Sequence, residues 1–231
     1  MMDIILWIAL VAFVYLQLIL LYYLFGKSGL FCFNIIMTIL SNLIILKKVF
    51  ILEHQINLSG ITFLSILCSL NLITEKYNDK LAIKSITLNM FIHITFVIMT
   101  YFTLHFQQNE FDTSNIHLKV LFYNISYISI IFTGTYIIFL CNYVNIKIYS
   151  TLKKKNISNK WINHNVSRLC SSFIAYVLAN ISMHTISQLY LGTNINVVES
   201  SWIFTIVIMV IDTFIYYFLN VIKVKQTWIL Q

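Results

Sequence analysis

Apolar residues in this chain come in long unbroken runs separated by short polar punctuation, and seven runs can be marked. Segment A covers Ile4 to Phe25, B Leu30 to Leu46, C Leu58 to Ile73 and D Ser85 to Phe106. Segment E covers Val120 to Val144, F Leu169 to Leu191 and G Trp202 to Ile222. A helix needs about 20 apolar residues to cross roughly 30 Å of hydrocarbon, and these runs are near that length. Backbone polar groups in lipid must be paired inside the protein, which leaves helices or a closed barrel. A barrel strand alternates apolar and polar residues over about ten positions. These runs do not alternate, so the pattern predicts an all-α, polytopic transmembrane bundle of six or seven spans. No internal repeat or linker divides it, and residues 1–231 read as a single transmembrane domain.

Composition agrees with the pattern. Hydrophobic residues make up 59% of the chain and charged residues 10%, with mean hydropathy +0.84. A soluble domain carries about 25% charged residues. The net charge of +7 could suggest nucleic acid. The basic residues sit at run ends and in one loop, as membrane topology requires, so no nucleic-acid partner is expected. If the seven runs alternate direction, one side of the membrane carries twelve Lys and Arg, Arg168 among them, and the other three. The positive-inside rule then puts the N-terminus outside and the C-terminus in the cytoplasm of a bacterial inner membrane. No signal-peptide cleavage pattern follows segment A. Cys32, Cys68, Cys141 and Cys170 lie one each in four runs, without C-x-x-C spacing, and read as small packing residues. No cofactor and no metal are expected.

The informative positions are polar residues inside the runs, since such groups tend to face a bundle interior or a cavity. Asn89 and His93 share one face of segment D. Segment F carries Ser172, Tyr176, Asn180, His184 and Gln188 at i, i+4 spacing, a polar stripe that predicts a cavity lining. Segment E carries Asn124, Ser126, Ser129, Thr133, Thr135 and Asn142. Segment G holds one mid-span carboxylate, Asp212, and no basic residue falls in the middle of any other run. Asp212 is therefore expected without an ion-pair partner, either protonated or facing a wet cavity. No nucleophile elbow, zinc-binding helix, P-loop or carboxylate pair appears, and no enzyme activity is expected.

Several blocks add a family resemblance. Leu24-Phe25-Gly26-Lys27-Ser28-Gly29-Leu30 is similar to a signature F-G-K-x-G-L, and Ser41-Asn42-Leu43 with Lys47 to an A/S-N-I/L stretch followed by lysine. Leu72-Ile73-Thr74-Glu75-Lys76-Tyr77 is similar to D-I-x-x-E-x-Y, Trp161, Asn165 and Ser167 to part of W-L-R-N-N-x-S, and Asp212-Thr213 to a closing D-T-P. In this order, over nearly the whole chain, they resemble the queuosine precursor transporter family of the vitamin uptake transporter group. The chain departs from that pattern at Asn71, Asn142, Asn145, Asn163, His164, Ala175 and Phe214. The resemblance implies import of a 7-deazaguanine, a purine-like small molecule. On this expectation Asn42, Asn71, Asn142 and Asn165 hydrogen-bond its edge through amides that both donate and accept. Ser172 joins them, Glu75 and Asp212 meet amino groups or protons, and Tyr176 or Phe173 stacks on the ring. The alternatives are a substrate-binding subunit of an ATP-driven vitamin importer, an enzyme on lipid-linked substrates, or a diverged member that no longer transports. Partners are the solute and the lipid bilayer, with homo-oligomerisation left open.

Overall fold

The computed structural model describes residues 2–45, 47–107, 125–155, 159–190 and 201–225. Asn124, Glu110, Asp112, Lys119 and Glu199 lie outside these residues, as does the side chain of Ser126. The described elements are α1 (Met2–Ile44), β1 (Lys48–Ile51), β2 (His54–Asn57), α2 (Ser59–Lys76) and α3 (Asp79–Leu104). They continue with α4 (Ile125–Lys154), α5 (Lys160–Tyr190) and α6 (Ser201–Val221). Five of these helices, α1, α3, α4, α5 and α6, are long and apolar enough to cross a membrane. The chain is a multi-pass helical membrane protein.

Segments A and B form the two halves of α1. Gly26 between them has φ 57°, ψ −126°, a backbone conformation that interrupts the helix and that only glycine adopts without strain. Here the chain reverses, so Trp7 from the first half and Ser41 and Ile45 from the second line the same cavity. Gly29 makes the reversal tight, because a Cβ there would fall 2.0 Å from the Leu21 carbonyl oxygen. The first half runs alongside α6: Trp7 packs edge-on against Phe204, and the Lys225 N–H donates to the Tyr23 carbonyl. The second half runs parallel to α3 through three side-chain pairs with the same offset, Asn34–Ser85, Thr38–Asn89 and Asn42–His93.

α2 is the central helix, since thirteen of its eighteen residues are buried. It begins after a short antiparallel hairpin that pairs Lys48 with Asn57 and Ile51 with His54. The apolar pattern does not predict this hairpin. Its turn places Leu52 and Glu53 at positive φ, the backbone of a two-residue primed turn made without glycine. At the start of α3 the Asn78 side chain accepts from the Leu81 N–H at 2.7 Å, an N-cap.

The polar stretch between segments E and F, after Val144 and before Leu169, is mostly helix. α4 continues through Lys154 and α5 begins at Lys160, so Asn163, His164, Ser167 and Arg168 are helical and buried. The apolar run of segment F starts only at Leu169, after the polar face of α5 has already entered the bundle. The long apolar side chains left exposed, Phe91, Phe102, Ile181 and Phe214 among them, suit a lipid surround.

The reversal generates the first prediction. Gly29→Ala has no room for its methyl group and should lower the amount of folded protein sharply in a detergent-extraction assay. Gly26→Ala meets backbone strain of about 1–3 kcal/mol and should give an intermediate loss.

Candidate functional site

The bundle interior holds a buried ion pair. Arg168 on α5 contacts the Asp212 carboxylate on α6, and both side chains are fully buried. The expectation that Asp212 lacks a basic partner is corrected here. Arg168 precedes the apolar run and looks like a loop residue, but it lies two turns inside a helix of 31 residues. The pair answers the cost of placing either charge in hydrocarbon alone. His164, one turn before Arg168, brings Nε2 to 2.8 Å from the guanidinium Nη1 and stacks on the Tyr216 ring at 3.9 Å. The Tyr15 hydroxyl and the Cys68 thiol lie against the Asp212 carboxylate.

Cys68, His164 and Asp212 place ligand-type atoms within 4.8 Å of one another, the spacing of a metal site. The guanidinium contacts both His164 and Asp212, and its fixed positive charge opposes a cation there.

A polar column leads away from the pair. Asn71 lies 3.1 Å from His164 Nδ1, donates to Ser167 Oγ at 3.1 Å and accepts from Asn145 at 2.8 Å. One turn further along both helices, Tyr149 donates to Glu75 at 3.1 Å and meets the Tyr216 hydroxyl. Glu75 then pairs with Lys153 at 3.1 Å and Lys160 at 2.8 Å. Glu75 lies beyond the apolar run that ends at Ile73. Burial alone would raise its pKa, but hydrogen bonds from Lys160 and Lys153 outweigh that and hold it below the ordinary carboxylate value. Asp79 pairs with Lys154 at 2.7 Å beside this cluster. The lysine-rich end of the bundle is thus clasped by ion pairs across α2, α3, α4 and α5.

At the other end a cavity of about 210 Å³ enters the bundle. Trp7, Phe63, Tyr176, Trp202 and Phe204 give it an aromatic lining, with Ser41, Ser172 and Asn180 as polar positions and Lys48 as the charged residue among its described lining. Tyr176 packs edge-on against Trp202 at 5.1 Å. The floor stands one turn from the ion pair on three helices. Leu64, Ser172 and Ile208 line the cavity, and Cys68, Arg168 and Asp212 lie four residues from them in the inward direction. One turn is about 5.4 Å.

The structure disperses the expected site residues. Ser172 lines the cavity. Asn42 sits beside it, donating to Thr135 at 3.4 Å, with its Oδ1 directly over Gly134, where a Cβ would come within 2.7 Å. Asp212 and Asn71 belong to the column, and Glu75 to the clasp at its far end. Asn165 is half-buried and ties α5 to α6 by accepting from Thr213 at 3.0 Å. Asn142 borders a separate small void against α3. Of the segment F stripe, Ser172, Tyr176 and Asn180 line the cavity, whereas His184 and Gln188 are exposed.

Sequence reading missed Arg168, Cys68 and Tyr15 as neighbours of Asp212, and Trp7, Trp202 and Phe204 as cavity lining. His164, Arg168 and Ser172 do recur every four residues, and that spacing was the available signal for Arg168.

A family model described as "Putative vitamin uptake transporter" matches residues 57–219. No curated protein and no solved structure gives a significant match.

The ion pair makes a prediction by charge balance. Asp212→Asn leaves a guanidinium buried without a counter-charge and should cost about 3–5 kcal/mol, seen as loss of folded protein. Combining Arg168→Met with Asp212→Leu removes both charges and should recover most of the folded amount. Equal stability of wild type and Asp212→Asn would contradict the pairing.

Proposed function

The chain belongs to the vitamin uptake transporter family, and from that premise we propose that it imports a small, planar, base-like solute across the bacterial cytoplasmic membrane. A 7-deazaguanine precursor of a modified tRNA base is the solute its sequence blocks favour. The observation that carries this reading is the aromatic cavity standing one helical turn above a buried Arg–Asp pair, at the end of the bundle opposite the lysine clasp. Aromatic faces bind planar rings by stacking, and a few polar groups fix their orientation. Ser41, Ser172 and Asn180 supply such groups at the cavity wall, with Asn42 beside them. In this reading Asp212, Asn71, Asn142, Asn165 and Glu75 act behind the cavity, through helix positions, unless the bundle opens to expose them.

The reversal at Gly26 supports counting α1 as two crossings. With α2 to α6 that makes seven, with the N-terminus outside and the C-terminus inside. The parallel run of the second half of α1 with α3, and of the first half with α6, suits such an alternation. The cavity then faces outward and the clasp closes the cytoplasmic end. That shape fits a carrier that takes its solute from outside, with clasp opening as the releasing motion.

Uptake complementation tests the reading. A cell unable to make the precursor, given this chain, should regain the modified base when supplied with one particular 7-deazaguanine. Trp202→Ala should raise the KM for uptake about tenfold, the worth of one stacking contact, with unchanged membrane abundance. Failure with every 7-deazaguanine, in cells that contain the folded protein, would refute the solute assignment.

A further inference from the structure

Between Lys160 and Ser172 the buried residues of α5 are Asn163, His164, Ser167, Arg168, Ser171 and Ser172, and every one is polar. They recur at the intervals that keep one helix face turned inward. The apolar residues of the same stretch, Trp161, Ile162, Val166 and Leu169, are exposed. This part of α5 is inverted, polar inward and apolar outward. The main apolar cluster of the bundle draws on α1, the hairpin, α2, α3, α4 and α6, and among the described residues none of it comes from α5.

The contacts of this face are of a kind that water can replace. Arg168 meets Asp212, Asn71 reaches His164 and Ser167, Asn165 accepts from Thr213, and Lys160 pairs with Glu75. The Ser171 and Ser172 hydroxyls have no partner among the described residues. Parting two apolar surfaces in water forfeits their burial with nothing in return, whereas a parted hydrogen bond is largely remade with water. The face is also long enough to matter. Lys160, His164, Arg168, Ser172, Tyr176 and Asn180 recur every fourth residue, a strip that winds gradually around α5 from the clasp to the cavity wall. Twenty residues of helix rise about 30 Å, the thickness of the hydrocarbon layer.

We propose that the translocation path runs along this strip, and that α5 is the helix that parts from α2 and α6 to open it. In the closed arrangement the contacts of Arg168 with Asp212 and of His164 with Asn71 block its middle. Polar residues inside a membrane bundle face the interior or a water-filled path, and one face serves both purposes here as α5 moves. Once parted, Ser167, Ser171 and Ser172 on one wall and Asn71 and Asp212 on the other offer a base-like solute hydrogen bonds in sequence. The α1–α6 side stays joined, because Trp7 packs on Phe204 near one end and the Lys225 N–H bonds the Tyr23 carbonyl near the other. The role of the path in uptake rests on the import reading, whereas its opening to water does not.

The test uses the full-length protein purified in detergent, without solute, and a small charged methanethiosulfonate as the probe. Modification is read residue by residue from peptide masses. Glu75→Gln loosens the clasp, since Lys153 and Lys160 lose their shared carboxylate. It should speed modification of the native Cys68, which lies against Asp212, and of Ser171→Cys by about tenfold, the worth of one buried hydrogen bond to a charged group. Ile66→Cys, inside the apolar cluster, should keep its rate. A disulfide between Asn165→Cys and Thr213→Cys, whose native side chains meet at 3.0 Å, should hold α5 to α6 and return Cys68 to the slow rate. A disulfide between Tyr23→Cys and Lys225→Cys, within the α1–α6 side, should leave the fast rate in place. Equal acceleration at Ile66→Cys means general loosening and overturns the path. An α5–α6 disulfide that leaves Cys68 labelling unchanged, with or without the Glu75 substitution, overturns α5 as the moving helix. The expected labelling in a protein that takes up no 7-deazaguanine supports the path and refutes the solute assignment instead.

Discussion

Charge cannot be left alone in hydrocarbon, and the contact between Arg168 and Asp212 is where this bundle meets that constraint. Each group by itself would cost several kcal/mol to bury; together they form a near-neutral unit with polar company from His164, Tyr15 and Cys68. These residues come from α1, α2, α5 and α6. Bringing the two charges into register fixes how those four helices slide past one another, in a setting where apolar packing against lipid gives little preference for one register over another. The column through Asn71, Asn145, Tyr149 and Glu75 extends that register to the lysine-rich end.

The two ends of the molecule then differ in kind. One is drawn together by Glu75 with Lys153 and Lys160 and by Asp79 with Lys154. The other stays open around aromatic rings, partly roofed by the hairpin Lys48–Asn57. Ion pairs are reversible fastenings: they lose little free energy when water replaces the partner. An apolar seal of the same extent would be harder to open. A carrier needs one such releasable end at a time, and the asymmetry of this bundle supplies it.

Much of this was legible in the residues. The apolar runs located the helices, and the glycine-bounded turn after Phe25 located the reversal. The i, i+4 spacing of Ser172, Tyr176 and Asn180 located one wall of the cavity. Arg168 was not legible, because an arginine that precedes an apolar run looks like a topology marker. Its burial depends on α4 and α5 continuing as packed helices beyond that run. Asn71 was legible as a buried amide but not as to its partner, since an amide hydrogen-bonds a neighbouring helix as readily as a ligand. Trp7 lies far from Trp202 and Phe204 in sequence, and only the packing of α1 against α6 brings them to one cavity. The hairpin was hidden because its turn uses Leu52 and Glu53, where a primed turn usually signals itself with Asn-Gly.

The account depends most on the claim that the cavity takes up its solute from the outer side. Ala175, half-buried on the cavity wall, is the position to probe. Ala175→Cys in intact cells should react with a membrane-impermeant maleimide faster than the wild-type protein with its own four cysteines. The 7-deazaguanine that supports complementation should slow that reaction in proportion to its concentration. Labelling that the base leaves unchanged would contradict the assignment of this cavity as the transport site.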